Sequence, residues 1–570
     1  MNTSAPATAT MTTPDGYTSL SHRLTQKDFS ETDCRLALRG EAIPENLANN
    51  VARLCLVSGI REHYEFACSA SIQELCEIEG QEVFARARDA RFIMSGNIPG
   101  PEMMGDIKKY PYCIWYPDIA VGGQDTYRKL VAAFPDMWYQ VGRACAVAGY
   151  LELYLELNLL PDVSIAEEAR EAAAQKGTKG SREIFEHIMA APVRYKVMDD
   201  YTLTVNLEAP KPGAFLNADT AVRVTLEGRK GFCEGLSPWR HFNITEDWGV
   251  SEKSTKVEVA ILNDEEATLL GMPLPFDLPT IHKDLLILAA ACDGNVDRYV
   301  RLRRPRGSIT GELHCLVSGI YKSTAMALWL ERNPEVMHTV AAVWDEDEVS
   351  SLRRAIYARH VMNNGISRLL RTDPRVPEEE LPYWIWYPTL PSSQTLVALA
   401  QARPGMRQQC VRACMAGGYK LAYDQIMNMP APNQGSRLEE EGDDEDTCIP
   451  LAADPILIYQ AMTSHERDYF LGDMQRRRED SGVQLERIQH SERWKRRNPW
   501  TCADESENDL FGFLKDHVFS IAYIDQGCGF FEPSLGEAGL GKIRRYLSSS
   551  EEERERAKRQ VWGYLNVTDS

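Results

Sequence analysis

Along most of the chain, apolar residues recur at helical spacing and are punctuated at set distances by small residues and glycines. Around Gly59, Gly149, Gly294, Gly319 and Gly418 the residue four places earlier is small (Cys55, Cys145, Ala290, Cys315, Cys414). The residue five places later is Tyr64, Tyr154, Tyr299 or Tyr423, with Thr324 the exception, and Leu157, Leu302 and Ile426 stand eight places after their glycines. This pattern predicts a helix whose small residue admits a close neighbour, a glycine that ends it in the left-handed conformation, and a second helix that turns a ring inward. The predicted unit is a helical hairpin.

The hairpins fall into two copies. CLVSGI stands at 55–60 and again at 315–320. In the same order follow Ala90 to Met94 against Ala358 to Met362, then Tyr112 to Pro117 (YCIWYP) against Tyr383 to Pro388 (YWIWYP). Arg143-Ala144-Cys145 with Gly149-Tyr150 matches Arg412-Ala413-Cys414 with Gly418-Tyr419, and a fainter correspondence sets Ile184-Phe185 through Tyr195 against Ile458-Tyr459 through Tyr469. The offset drifts only from 260 to 274. An internal duplication explains this preserved order.

The segment Asp284 to Leu302, DLLILAAACDGNVDRYVRL, resembles an ankyrin repeat in its paired alanines, its glycine and its aliphatic second helix. It lacks the TPLH opening, and the glycine spacings depart from the roughly 33-residue ankyrin period. The phrases IHKDLLILAAACDGN, SGIYKSTAMALW and LPYWIWYPT also resemble a group of uncharacterised fungal proteins with degenerate ankyrin-like helical repeats. That resemblance implies a mostly α fold, an ankyrin-like α-solenoid of helical hairpins in two diverged copies. It implies no activity and no catalytic residues.

Five regions are expected: a disordered tail over 1–30, the first copy over 31–205, an irregular connector over 206–284, the second copy over 285–480, and a C-terminal helical segment over 481–570. Residues 201–207, 220–226 and 256–262 alternate or are β-branched, although 220–226 also fits a helix, so a small β element in the connector is left open. The acidic run Arg437 to Asp446 predicts a disordered loop over 437–447 within the second copy. Ser548 to Ser550 followed by Glu551 to Glu553, with Lys558 and Arg559 beyond, suits the polarity of a final helix.

Composition narrows the classes. Hydrophobic residues at 44% and charged residues at 26% are ordinary for a globular protein. A net charge of -20 opposes a general affinity for nucleic acid or anionic lipid, and no stretch reaches the roughly 20 apolar residues of a membrane span. MNTSAPATATMTTPDG lacks the basic and apolar regions of a signal peptide. These features set the expectation of a cytoplasmic address, with the nucleus left open, and of 14 cysteines in the reduced state.

Candidate chemistry is sparse. Gly536 to Lys542 has the glycine and lysine spacing of a phosphate-binding loop, but Ile543 stands where the magnesium-binding hydroxyl belongs and Glu537 adds a negative charge. Cys233 and Cys528 lie in glycine-flanked turns that could expose a thiolate. Cys410 and Cys414 share a helix face, where core packing explains them better than a metal does. No metal, cofactor or catalytic residue is assigned.

Two functions are weighed. The favoured one is a non-enzymatic scaffold or adaptor for a protein partner, a basic one if the acidic charge guides the choice. Trp115, Tyr116, Trp386 and Tyr387 are its candidate contacts, set against the alternative that these rings wedge neighbouring hairpins together. The other function is an enzyme or small-molecule-binding protein whose pocket lies between the copies and the connector, with Asp199, Asp200, Arg240 and His241 as candidates. Oligomeric state is not assigned.

Overall fold

The computed structural model describes residues 19–222, 244–245, 252, 267–281, 283–305, 307–309, 312–341, 347–372, 374–377, 380–382, 384–430 and 450–482. The described residues are mostly helical. The chain divides into two units, Met1–Leu286 with Arg301–Thr310, and Ile287–Val300 with Gly311–Ser570.

The first unit contains α1 (Leu20–Arg23), α2 (Glu31–Leu38), α3 (Asn50–Glu62), α4 (Tyr64–Ala67), α5 (Ala70–Cys76), α6 (Glu82–Met94) and α7 (Pro101–Met104). It continues with α8 (Gln124–Ala133), α9 (Trp138–Ala148), α10 (Leu151–Glu156), α11 (Val163–Lys176) and α12 (Lys179–Met189). Helix α2 packs on α3 and α3 on α6, while α9 packs on α11 and α11 on α12. Short polar residues start α3 and α11. Asn49 accepts from the amides of Val51 and Ala52, and Asp162 accepts from that of Ile165, in each case satisfying donors that lack an intrahelical partner.

The second unit holds most of α13 (Asp284–Cys292) and α14 (Val296–Leu302), followed by α15 (Glu312–Lys322), α16 (Thr324–Arg332), α17 (Pro334–Ala341) and α18 (Asp347–Met362). Then come α19 (Ser393–Ala402), α20 (Arg407–Gly417), α21 (Lys420–Met427), α22 (Pro455–Thr463) and α23 (Arg467–Ser481). Ser323 and Ser392 cap α16 and α19 by accepting from Met326 and Thr395. Gly149 and Gly418 end α9 and α20 at φ of +74° and +65°, where only glycine is free of a Cβ penalty.

The two copies agree down to single hydrogen bonds. Arg91 donates to the carbonyls of Arg61 and Glu62 and to Asp118; Arg359, its counterpart, donates to the carbonyl of Tyr321 and to Thr389. Arg61 donates to the carbonyl of Cys113, and Tyr321, at the same place, donates through its hydroxyl to that of Trp384. One acceptor position is thus kept while its donor has changed.

The glycine of CLVSGI has a different reason from the one expected. Gly59 and Gly319 lie within α3 and α15 and do not end them. A Cβ built on Gly59 would stand 1.8 Å from the Ala37 carbonyl oxygen, and one on Gly319 would stand 1.9 Å from that of Ala291. The residue is glycine because the end of an earlier helix, α2 for Gly59 and α13 for Gly319, lies against it. Of the glycines in the pattern, Gly149, Gly294 and Gly418 do have positive φ.

The end of the duplication also differs. Asp162 caps α11, and Asp454 stands likewise before α22, accepting from Leu457. Thr178 and Gly180, at the start of α12, lie against Gly149, and His465 and Glu466, at the start of α23, lie against Gly418. Helix α12 therefore corresponds to α23. The faint match had set Ile184 of α12 against Ile458 of α22, and the long acidic insertion between α21 and α22 accounts for the slip.

Four two-residue strands, β1 (Tyr195–Lys196), β2 (Met198–Asp199), β3 (Thr204–Val205) and β4 (Lys211–Pro212), form two antiparallel pairs, β1 with β4 and β2 with β3. Only Thr204–Val205 of the alternating run 201–207 is strand, because Asp199 accepts from the amide of Tyr201 and Leu203 turns at φ of +55°. Thr220, Ala221 and Val222 are neither strand nor helix, and 256–262 lie outside the described residues. Residues 206–222, assigned by sequence to the connector, are tied into the first unit: Glu167 of α11 accepts from the Asn217 amide and the Thr220 hydroxyl. Residues 19–30 are likewise engaged, with Arg23 donating to the Ile43 carbonyl and pairing with Glu45. The acidic loop 437–447, the glycine-rich run at Gly536 and the final helix lie outside the described residues.

Candidate functional site

The duplicated Trp-Tyr-Pro loops split their rings between two environments. Trp115 and Trp386 are buried at 2% and 8% exposure, whereas Tyr116 and Tyr387 are exposed at 39% and 54%. Both Tyr-Pro peptides are cis. The Arg143 guanidinium lies 4.9 Å from the centroid of the Trp115 ring, and Arg412 lies 4.6 Å from that of Trp386. In the second copy Trp384 stacks on Trp386 at 4.6 Å, so one arginine covers a pair of rings. A desolvated guanidinium over an indole face contributes about 2 kcal/mol.

The reason the loop takes this form is the placement of α3 and α9. Arg61, buried at the end of α3, binds the carbonyls of Cys113 and Tyr116. Arg143, at the centre of α9, draws the Trp115 face inward. The tryptophans are thus core residues, and the tyrosines lie at the surface.

Asp200 belongs to a closed network around Arg143. It accepts from the Tyr112 hydroxyl at 2.7 Å, from Arg143, and from the Ala221 amide at 3.2 Å. Arg143 also donates to Glu168 at 3.3 Å, and Glu168 accepts from the Trp115 indole at 3.2 Å. Burial opposes the charge on Arg143, but Asp200, Tyr112 and Glu168 outweigh it and hold the guanidinium firmly protonated. Burial, with Asp200 adding to it, pushes the Tyr112 phenol well up, so it remains a donor. With both partners of the ion pair fully buried, the network locks α9 to α11 and the residues after β2.

Asp199 does not join this network. It is partly exposed, pairs with Lys196 at 3.2 Å and receives the Tyr201 amide. Arg240 and His241 lie outside the described residues, as do Cys233 and Cys528. Cys410 and Cys414 are both buried, and burial pushes both thiols up, Cys414 to about 12, so they behave as core residues. Among the described residues no group of three or more His, Cys, Asp or Glu could hold a metal ion.

Sequence reasoning missed a second buried polar cluster in the first unit. Glu167 binds Arg170, Asn217 and Thr220, and Lys283 donates to the Asn217 carbonyl at 2.7 Å. Burial pushes the Lys283 ammonium down to about 7. Its signal was a single lysine beside an aspartate at the head of an apolar helix, which reads as an ordinary first turn. An open cleft of about 320 Å³ lies between Tyr154, Leu159, Pro161, His187, Ala190 and Ala191, with no charged carboxylate, lysine or arginine in its lining.

A protein-family model described as the YKP1 C-terminal domain matches residues 115–226. The match begins at Trp115 and ends beyond Thr220, so it takes in the Trp-Tyr-Pro loop, Arg143, Glu168, Asp200 and the residues that close on α11. It fits the likeness to uncharacterised fungal proteins. No curated protein and no solved structure matches the chain. No helix among the described residues is long and apolar enough to cross a membrane.

Proposed function

We propose that this chain is a non-enzymatic protein-interaction scaffold whose helical hairpins stack as a degenerate ankyrin-like solenoid, and that Tyr116 and Tyr387 contact the partner. The observation that carries the reading is the repeated arrangement at the two loops. Each copy buries a tryptophan under an arginine and leaves the adjoining tyrosine partly exposed. Tyrosine supplies a large contact area at small entropic cost, so a ring pre-positioned in this way suits recognition. The acidic net charge favours a basic protein partner through long-range steering, and we assign the scaffold to the cytoplasm.

The test is affinity purification of the tagged full chain from its native cell, compared with a Tyr116→Ala/Tyr387→Ala variant shown to be folded. The scaffold reading expects a stoichiometric protein that is lost with the two rings and is weakened by added salt. Recovery of both forms alone would overturn it.

A further inference from the structure

The pair of cysteines at the crossing of α13 and α15 forms a site that the scaffold reading does not use. Cys292 is the last residue of α13 and is partly exposed, whereas Cys315 on α15 is buried at 3%. Cys315, Ser318, Gly319 and Lys322 follow one another at i, i+3, i+4 and i+7, and so share a face of α15. That face lies against the end of α13 because Gly319 has no Cβ to hold off Ala291. Lys322 Nζ stands 3.6 Å from Cys292 Sγ and 2.9 Å from the Cys292 carbonyl oxygen, and Ser318 Oγ lies 3.5 Å from the same sulfur.

We propose that Cys292 is an oxidation site for hydroperoxides, with Cys315 as its resolving thiol. The Cys292 thiolate attacks the distal oxygen of the peroxide; the O–O bond breaks, an alcohol or water leaves with a proton, and Cys292 becomes a sulfenic acid. The Cys315 sulfur then displaces hydroxide from that sulfenic sulfur, and its proton leaves with the hydroxide as water. Two thiols and one hydroperoxide thereby give one disulfide, one alcohol or water molecule and one further water, and a dithiol reductant restores the start.

The surroundings favour the thiolate on balance. The hydrogen bond from Cys315 lowers the Cys292 thiol most, burial opposes it, and Lys322 and Ser318 lower it further, to about 6, while Asp293, the next residue in the chain, opposes them. Glu312 of α15 acts on Cys315, and Arg298 offsets Asp293. The carboxyl end of a helix disfavours an anion, and Lys322 is placed to offset that end, since it binds both the carbonyl and the sulfur. Relative to an ordinary thiol, the thiolate fraction at neutral pH rises roughly ninetyfold while lowered basicity removes about twentyfold of nucleophilicity, a net gain of about fourfold. The pH profile is therefore the sharper readout.

The test treats the full chain with one equivalent of hydrogen peroxide at pH 7 and maps cysteine states by mass spectrometry without reduction. A Cys292–Cys315 disulfide reversed by dithiothreitol is expected, with Cys34 and Cys55 still thiols. Cys315→Ser should stop at a sulfenic acid on Cys292 that dimedone traps. Lys322→Glu should slow the reaction by up to about fourfold and raise the pH of half-maximal reactivity above about 6, with Lys322→Arg restoring most of both. Cys292 persisting as a thiol while the exposed Cys68 oxidises would overturn the proposal. So would a rate and pH profile unchanged in Lys322→Glu.

Discussion

In the first copy the sulfur beside the CLVSGI helix belongs to Cys34, fully buried with Cys55, whose hydrogen bond lowers the Cys34 thiol against the opposition of burial, Asp33 and Glu31. In the second it belongs to Cys292, partly exposed and approached by Lys322. The supporting helices are alike: each has cysteine four places before a glycine that lies against an alanine carbonyl. The copies diverge just beyond the shared hexapeptide, where Glu62 stands in one and Lys322 in the other. Ser58 bonds Glu62 at 3.3 Å, while the equivalent Ser318 faces the Cys292 sulfur. The close approach was kept because packing requires it, and the charge beside it was free to change sign.

The largest effect that would break this comparison lies at the glycines. Gly59→Ala and Gly319→Ala each force a methyl group into a backbone carbonyl, and each should cost about 3 kcal/mol or more in denaturant unfolding. Gly472→Ala, where nothing lies within 4 Å of the added Cβ, should instead be neutral or stabilising. Equal costs at all three positions would remove the packing explanation.

A second contrast lies on α6, which buries Arg88 beside Asp89 where the second copy has Ile356 and Tyr357. Burial pushes the Asp89 carboxyl up to about 6 although Arg88 pulls it down. The folded chain therefore holds that proton to a higher pH than the unfolded chain does, and stability falls as pH rises from about 4 to about 6. Asp89→Asn should remove that slope, of order 2–3 kcal/mol, in urea titrations across this window. An unchanged slope would place the titration elsewhere.

The charge exchange sharpens the comparison further. Glu62→Lys imports the second copy's cation into the first, yet Cys34 and Cys55 should stay unreactive toward iodoacetamide because both are fully buried. The smallest effect belongs to Tyr116→Ala and Tyr387→Ala. Both side chains are partly exposed, so each should alter unfolding stability by no more than about 1 kcal/mol while partner capture is lost.

The helical character and the duplication were legible because small residues, glycines and tyrosines recur at fixed distances. Which role each glycine has was not legible, since a helix end and a helix crossing both call for glycine. Gly149 caps, whereas Gly59 admits a carbonyl. The tryptophans and tyrosines of the loops were equally ambiguous in sequence, and only the positions of Arg143 and Arg412 separate buried rings from exposed ones. Asp200 was singled out for its neighbours in sequence, but its partners Tyr112, Arg143 and Ala221 come from elsewhere in the chain. Cys292 gave no signal, because its value depends on a lysine thirty residues away that reaches it only across the helix crossing.

The most direct measurement is an alkylation competition within one molecule: limiting iodoacetamide from pH 5 to 10, with labelling of each cysteine read by mass spectrometry and the exposed Cys68 as internal reference. The account predicts that Cys292 reaches half its maximal rate near pH 6 while Cys34, Cys55 and Cys315 remain protected. Cys292 labelling no faster than Cys34 and Cys55 across the whole range would contradict it.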